Sequence, residues 1–265
     1  MRIFVDSANV VEIEEALQRG FAAGITTNPS ILAREERGDF REHITRIIRL
    51  LEKHGYDIPL SVEVFSTRPE EMITQAEEFV RYFGSYRNLN VKVPIGWDEL
   101  AVIHELRRRN IKVNCTCCMS YNQAIMAAGA GANYVSLFLG RIKDIGYDAA
   151  SVIREVRATF REWRHPCEII VGSIRHIQDV NEAFRAGADI VTVPPKFFRQ
   201  MVTHPKTDDA VTCSCPIFGS GSREASARPP LTRLVPSGRR RYPGPGCTRR
   251  SRRSSAPPGG PLRGV

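Results

Sequence analysis

The sequence has no apolar run near the roughly 20 residues that a membrane-spanning helix needs, so an integral membrane protein is not expected. The opening stretch, MRIFVD, places only four apolar residues before Asp6. A secretory signal peptide needs a longer apolar segment, so this stretch is not expected to be one. Together these absences predict a cytoplasmic protein that does not bind membranes.

The sequence also lacks the spacings of a metal site. Its seven cysteines are an odd number, and three of them crowd into NCTCC (Cys115, Cys117 and Cys118) without a partner pair or a nearby histidine. The six histidines are scattered. We therefore predict no metal and no other cofactor, and we interpret NCTCC as a buried strand with free thiols.

Most of the chain is close to electrically neutral. The formal charge of the whole is +9, but residues 222–265 hold eleven arginines, no lysine and one acid, Glu224, which gives 11 − 1 = +10. Residues 1–221 therefore carry 9 − 10 = −1. The basic character belongs to the C-terminal stretch alone.

The C-terminal stretch has no helical or strand period and is dense in Arg, Pro, Gly and Ser. Such a composition cannot bury enough apolar surface to offset its ordering entropy, so residues 210–265 are predicted to be a disordered low-complexity tail. One interpretation is an arm that binds RNA or DNA. The other is out-of-frame translation of a GC-rich gene. The second is favoured because Tyr242 is the only aromatic residue in the basic stretch 222–265 that bases could stack on, so nucleic acid is not an expected partner.

The first 209 residues alternate short apolar runs with amphipathic segments. Two of these segments, REHITRIIRLLEKHG and PEEMITQAEEFVRYFG, repeat apolar residues every three or four positions, and PKFFRQMVTHP supplies a helix after the last strand. The predicted strands are 2–6, 23–27, 60–64, 89–94, 112–116, 134–139, 167–172 and 190–194.

Eight βα units with short apolar strands favour a parallel sheet closed into a (β/α)8 TIM barrel, an α/β fold, with one catalytic domain over residues 1–209. An open doubly wound sheet is the alternative. No G-x-G-x-x-G turn follows the first strand to support it.

Polar side chains recur on one face of these strands, near the ends where barrel enzymes carry their chemistry. Strand parity places them at Asp6, Glu63, Lys92, Asn114 with Thr116, and Ser136. A barrel interior with only a structural role would hold Val, Ile and Leu there. The most unusual member is Lys92, inside the apolar run NLNVKVP, because burying a charge is costly unless it is paired.

Two interpretations of Lys92 remain open. It could form an ion pair with Glu63 or Asp6 and nothing more, although a simple pair would not need the Asn and Thr beside it. Alternatively, partial burial favours a neutral lysine amine, which attacks a carbonyl and forms a Schiff base. Asp6 and Glu63 would then move protons, with a water held by Thr116 as a possible intermediary.

Arginines after the late strands suggest a phosphate site. Arg141 follows the sixth strand in LFLGRIKD, and GSIRH after the seventh strand contains Ser173 and Arg175. Barrel enzymes often hold phosphate with loops at this position, and arginine matches phosphate geometry. With the lysine, these residues indicate a phosphorylated sugar as substrate.

From about Arg2 to Asp208 the chain resembles the transaldolase family, in its short form that includes fructose 6-phosphate aldolases. The motifs that carry the resemblance are FVDSAN, GITTNPSIL, VEV, VKVP, VNCT, YVSLFLGRI and GSIRH, in this order. The resemblance implies Schiff-base formation by the VKVP lysine, Lys92, and proton transfer by Asp6.

The same resemblance implies roles for the other site residues. Glu63 and Thr116 would position the catalytic water, and Asn28 would contact the donor hydroxyls. Asn114 and Ser136, with Phe138 beside them, would line the dihydroxyacetone pocket. The phosphate would be held by Arg141, Ser173 and Arg175.

Two positions favour a transaldolase over an aldolase. The aldolase branch is typified by Gln where this chain has Glu63 and by Tyr where it has Phe138. The implied reaction converts sedoheptulose 7-phosphate and glyceraldehyde 3-phosphate to erythrose 4-phosphate and fructose 6-phosphate, in the pentose phosphate pathway. The alternatives are a fructose 6-phosphate aldolase, or a barrel without activity that carries a nucleic-acid-binding arm.

One departure from the family follows HPKTD, where short members continue with another helix that caps the barrel or packs on a neighbouring subunit. Here the chain continues with AVTCSCPIFGSGS. Assembly into a homo-oligomer is expected if this C-terminal stretch permits it.

Overall fold

The computed structural model describes residues 1–33 and 39–214, which belong to one compact unit, Met1–Ser222. The rest of the predicted tail, residues 215–265, lies outside the described residues. The predictions about its disorder and about nucleic acid therefore concern residues that the structure does not describe. Within the described ranges, no helix is long and apolar enough to cross a bilayer. The same ranges contain no cluster of His, Cys, Asp or Glu placed to hold a metal ion.

Eight parallel strands close into a barrel in which each strand pairs with the next along the chain and the last pairs with the first. The strands are β1 Arg2–Asp6, β2 Ala22–Thr26, β3 Leu60–Glu63, β4 Leu89–Pro94, β5 Val113–Cys118, β6 Tyr134–Phe138, β7 Glu168–Gly172 and β8 Ile190–Val193. The predicted (β/α)8 barrel is confirmed.

Helices surround the barrel. They are α1 Val10–Gln18, α2 Pro29–Leu32, α3 Phe40–Lys53, α4 Pro69–Phe83, α5 Trp97–Arg108, α6 Tyr121–Gly129, α7 Leu139–Asp144, α8 Ala149–Glu162, α9 Ile177–Arg185, α10 Phe198–Val202 and α11 Pro205–Ser214, with a 3-10 turn at Pro195–Phe197. The last helix runs past Asp209, the boundary predicted between barrel and tail.

The helices form where the sequence offers both an apolar stripe and a cap. In α3 the buried residues include Ile44, Ile47 and Leu51, which recur at helical spacing, and the side chain of Asp39 accepts a hydrogen bond from the backbone N–H of Arg41. These stripes cover the outward faces of the strands, where residues such as Val91 are fully buried.

The interior of the barrel changes from apolar to polar along its axis. Towards the amino ends of the strands, Phe4, Ile170 and Ile190 form a buried cluster. The ring of Phe4 lies over Gly24, where a Cβ atom would come within 2.4 Å of the ring. The apolar cluster closes the barrel at this end, and side chains able to do chemistry are left at the carboxyl ends of the strands.

Candidate active site

Lys92 and Glu63 form an ion pair at the carboxyl end of the barrel. They are register partners across β4 and β3, and Lys92 Nζ lies 2.9 Å from Glu63 Oε2. The ammonium also donates to the carbonyl oxygen of Thr27 at 2.9 Å. The side chain of Lys92 is 6 % exposed, and these two partners offset the desolvation cost of burying its charge. Of the two predicted partners, Glu63 is the one in contact.

Asp6 lies at the end of β1 and is linked to two buried threonines. Thr26 Oγ1 donates to Asp6 Oδ1 at 2.8 Å, and Thr26 Oγ1 lies 2.5 Å from Thr192 Oγ1. Burial raises the pKa of Asp6, while the positive charge of Lys92 and the Thr26 hydrogen bond act in the opposite direction. A carboxyl group with a raised pKa holds a proton more readily than an ordinary aspartate, which suits it to accepting and returning one.

A second hydrogen-bonded chain crosses the barrel floor between β3 and β6. Ser136 Oγ donates to Asn114 Oδ1 at 2.7 Å, and Asn114 Nδ2 donates to Ser61 Oγ at 3.2 Å. All three side chains are buried. The predicted pocket residues Asn114 and Ser136 are therefore in direct contact, and Ser61 is a member that sequence reasoning did not include.

β5 contains a β-bulge at Thr116 and Cys117, at the carboxyl end of the barrel. Cys115 pairs with Val135 and Cys118 with Leu137, so Thr116 and Cys117 together lie opposite Ser136 alone. Cys117 has the left-handed backbone angle φ of 61° that this irregularity requires. The bulge is where the predicted strand 112–116 departs from the structure, since β5 continues to Cys118.

Of the two bulge residues, Thr116 pairs in register with Pro94, two positions after Lys92, and Cys117 is influenced by the charge of Lys92. Thr116 is fully buried and, within the part of the chain that the structure describes, its Oγ1 forms no hydrogen bond with a nitrogen or oxygen atom; its polar neighbour is the Cys117 thiol. A buried hydroxyl with only a weak sulfur partner fits the predicted role of holding a water. Burial and the charge of Glu63 raise the pKa of the Cys117 thiol, and Lys92 acts in the opposite direction. Cys117 is thus close to the Lys92–Glu63 pair. Sequence reasoning did not include Cys117 among the site residues.

Asn28 lies two residues after the end of β2, and Phe138 is the last residue of β6. Asn28 follows β2 and caps α2, since its Oδ1 accepts a hydrogen bond from the Ile31 N–H at 2.9 Å. Phe138 ends β6, is half-buried, and has the Arg141 guanidinium 6.0 Å from its ring centroid. Both predicted residues lie at the carboxyl ends of their strands.

The three predicted phosphate ligands gather around Gly140. The Gly140 N–H donates to the Ser173 carbonyl at 3.1 Å. A Cβ atom at position 140 would lie 2.3 Å from that oxygen and 2.9 Å from Arg175 Nε. Arg141, the next residue, is exposed, and Ser173 has a left-handed φ of 59°. Glycine at 140 allows the β6 and β7 loops to come this close.

The guanidinium of Arg175 is already engaged by a carboxylate. It forms a two-pronged ion pair with Asp144, at the end of α7. Both side chains are 47 % exposed, so an incoming phosphate can compete with Asp144 for the guanidinium in a solvated setting. Sequence reasoning did not foresee this pairing, because nothing in the local pattern joins positions 144 and 175.

Comparison with known proteins adds evidence on ancestry. The model of the family described as Transaldolase/Fructose-6-phosphate aldolase matches residues 3–227, beyond the Asp208 limit of the motifs. "Probable transaldolase 1" of Listeria monocytogenes serotype 4b (strain F2365) is 44% identical over 211 residues, which cover 80% of this chain and 94% of the relative. "Probable transaldolase" of Moorella thermoacetica is 45% identical over 208 residues, covering 78% and 93%.

Among solved structures, a mandelate oxidase mutant with a monooxide FMN adduct superimposes with a TM-score of 0.51 at 13% identity. The match covers 73% of this chain and 64% of that one. At this identity the likeness concerns the barrel fold alone.

Proposed function

Since the chain belongs to the transaldolase/fructose-6-phosphate aldolase family, we propose that it is a transaldolase that moves a dihydroxyacetone unit between sugar phosphates through a Schiff base on Lys92. The observation that carries the proposal is the buried Lys92–Glu63 pair, with the Asp6 carboxyl and the buried Thr116 hydroxyl at the same end of the barrel. No cofactor is needed for this chemistry, because the iminium itself accepts the electron pair.

Formation of the Schiff base begins with the ion pair. Transfer of one proton across the 2.9 Å from Lys92 Nζ to Glu63 Oε2 leaves a neutral amine and a neutral carboxylic acid. The amine adds to the C2 carbonyl of the ketose phosphate. Glu63 then returns its proton to the carbinolamine hydroxyl, directly or through a water on Thr116, and water leaves to give the iminium.

Cleavage of the sugar requires a base on the C4 hydroxyl. Asp6 as carboxylate accepts that proton, the C3–C4 bond breaks, and its electron pair enters the iminium to give an enamine. The shorter aldose phosphate leaves. The enamine then adds to the carbonyl carbon of an acceptor aldose phosphate while Asp6 returns the proton, and hydrolysis releases the new ketose phosphate from Lys92. The raised pKa of Asp6 supports this two-way role.

Recognition of the substrate is assigned to the remaining site residues. Asn114 and Ser136 would bind the hydroxyls of the three-carbon unit, and the Asn28 amide would contact the donor. The phosphate would be bound by Arg141, Ser173 and Arg175 around Gly140. Within this proposal the substrates are sedoheptulose 7-phosphate with glyceraldehyde 3-phosphate, and the products are erythrose 4-phosphate with fructose 6-phosphate. The enzyme would serve the pentose phosphate pathway in the cytoplasm, as a homo-oligomer.

Fructose 6-phosphate aldolase activity is the second candidate, since the matched family includes both. Glu63 and Phe138 favour transfer, because the aldolase branch is typified by Gln and Tyr at these positions. An assay for free dihydroxyacetone separates the two activities. Release from fructose 6-phosphate without an acceptor, at a rate similar to that of transfer to erythrose 4-phosphate, would favour the aldolase.

The direct test is to trap the Schiff base. The full chain is incubated with fructose 6-phosphate, reduced with borohydride, digested, and mapped by peptide mass spectrometry. A three-carbon adduct is expected on Lys92 and is expected to be lost in Lys92→Met. The matched control is Lys112→Met, at the amino end of β5, where Lys112 bonds to Asn88; this variant should form the adduct normally. Turnover by folded Lys92→Met would overturn the proposal.

A further inference from the structure

Two threonine hydroxyls, that of Thr192 on β8 and that of Thr26 on β2, form a hydrogen-bonded chain that ends at Asp6 on β1. We propose that Thr192, acting through Thr26, is a positioning residue that holds the Asp6 carboxylate and sets the pH range in which it accepts a proton. This inference rests on the proposed function, in which Asp6 is the acid and base of the bond-breaking step.

The three residues come from three neighbouring strands, β8, β1 and β2. Asp6 and Thr26 are register partners across β1 and β2. Thr192 lies on β8, paired with Phe4 of β1, two positions before Asp6. Thr26 is 2 % and Thr192 6 % exposed, so these hydroxyls depend on each other and on Asp6 instead of bulk water.

The direction of the hydrogen bonds follows from counting protons. A threonine hydroxyl has a single proton. When Thr26 donates it to an ionised Asp6, the 2.5 Å contact between the threonines requires Thr192 to donate to Thr26. When Asp6 is protonated, it can donate to Thr26, and Thr26 can donate to Thr192. The chain therefore accommodates both protonation states of Asp6 without moving a heavy atom.

The orientation of Thr192 is fixed by its methyl group. A Cβ atom on Gly172 of β7 would lie 3.2 Å from Thr192 Cγ2, so the methyl occupies the space left by the glycine. A β-branched side chain has few rotamers. With the methyl held against β7, the hydroxyl is directed to Thr26.

The charged and titratable groups around Asp6 come from other strands. Lys92 on β4 and Glu63 on β3 act on Asp6 with opposite sign, and Cys117 on β5 faces the same pair. From β2 the Thr26 hydroxyl bonds to Asp6, and from β8 the Thr192 hydroxyl bonds to Thr26 behind it. Removing a hydroxyl therefore changes the stabilisation of the carboxylate without changing any formal charge.

The test is the pH profile of kcat/KM for sugar phosphate transfer in the full chain. In Thr192→Val, Thr26 loses the bond that polarises it, becomes a weaker donor, and stabilises the carboxylate less. The midpoint of the acid limb of the kcat/KM profile should then move to higher pH by roughly 0.3 to 0.5 pH unit. In Thr26→Val, which removes the bond to the carboxylate itself, the limb should move upward by about one unit. Thr192→Ser keeps the hydroxyl and should restore the wild-type limb.

Borohydride trapping with fructose 6-phosphate is run on every variant. An upward shift in Thr192→Val that Thr192→Ser reverses, with adducts on Lys92 in all variants, supports the inference. An unmoved limb in Thr192→Val, with normal trapping, overturns the inference and leaves the proposed function standing. Absence of any adduct from the folded wild-type protein overturns the proposed function instead. If Thr192→Val is unstable, Thr192→Ala provides the same comparison with Thr192→Ser.

Discussion

The Lys92–Glu63 ion pair predicts an unusual pattern of stability among variants. Lys92→Met keeps much of the apolar length of the side chain but leaves the Glu63 carboxylate without its cation and the Thr27 carbonyl without its donor. Removing one partner of a buried pair costs about 3–5 kcal/mol. Glu63 is 16 % exposed, so partial solvation reduces the expected loss to about 2–3 kcal/mol.

The second substitution identifies the cause of that loss. Changing Glu63 to Gln in the Lys92→Met background replaces the stranded carboxylate with a neutral amide, which is less costly to leave without a cation. The double variant should therefore be more stable than Lys92→Met alone and regain at least half of the loss. Both variants should be inactive in transfer, which separates stability from catalysis.

Thermal unfolding by circular dichroism gives the measurement. A loss of 2–3 kcal/mol should lower the Tm by about 4–12 °C, at roughly 2–4 °C per kcal/mol for a domain of this size. Glu63→Gln alone should also be destabilised, because it leaves the ammonium of Lys92 unpaired. If the double variant melts no higher than Lys92→Met, the stranded charge is not the cause and the reasoning fails.

Two further predictions concern Asp6 and Gly140. Burial raises the pKa of Asp6 above its ordinary value of 3.8, so the contribution of Asp6 to the stability of the wild-type protein should fall as the pH rises from about 3.8 through the raised value. The stability of Asp6→Asn relative to wild type should therefore increase across that window and stay constant below it; thermal unfolding at a series of pH values would show this, and a flat difference would contradict it. Gly140→Ala places a Cβ atom 2.3 Å from the Ser173 carbonyl, so it should lower stability by about 1–3 kcal/mol and raise the KM for sugar phosphates. An unchanged KM would separate Ser173 from the phosphate site.

The fold and most of the site follow from local sequence patterns. Strand positions are visible because each strand is a short apolar run between amphipathic segments, and parity alone places Lys92 and Asn114 on the interior face. Parity does not fix which carboxylate meets the lysine. That depends on the register between β3 and β4, which puts Glu63 directly beside Lys92, and register is a property of two strands.

The remaining site residues depend on contacts that no single segment encodes. The bulge that directs Cys117 toward the lysine cannot be seen in NCTCC, because an alternating pattern does not show that two residues oppose one. Thr26 and Thr192 resemble ordinary strand-forming threonines in the sequence. Thr26 meets Asp6 through the register of β2 with β1, and Thr192 joins them because the barrel closes between β8 and β1.

The pairing of β8 with β1 also bears on how the protein is made. During translation at 5–20 residues per second, Asp6 emerges roughly 10 to 40 s before Thr192. Until β8 is synthesised, β1 and β7 have no strand to pair with on their open sides, and such edges can pair with other chains. β1 therefore needs protection for most of that interval, and β7 needs it only for the last few seconds before β8 emerges. Because the hydrogen-bonded hydroxyls of Thr192 and Thr26 join β8 to β2 across β1, they can meet only after the barrel has closed.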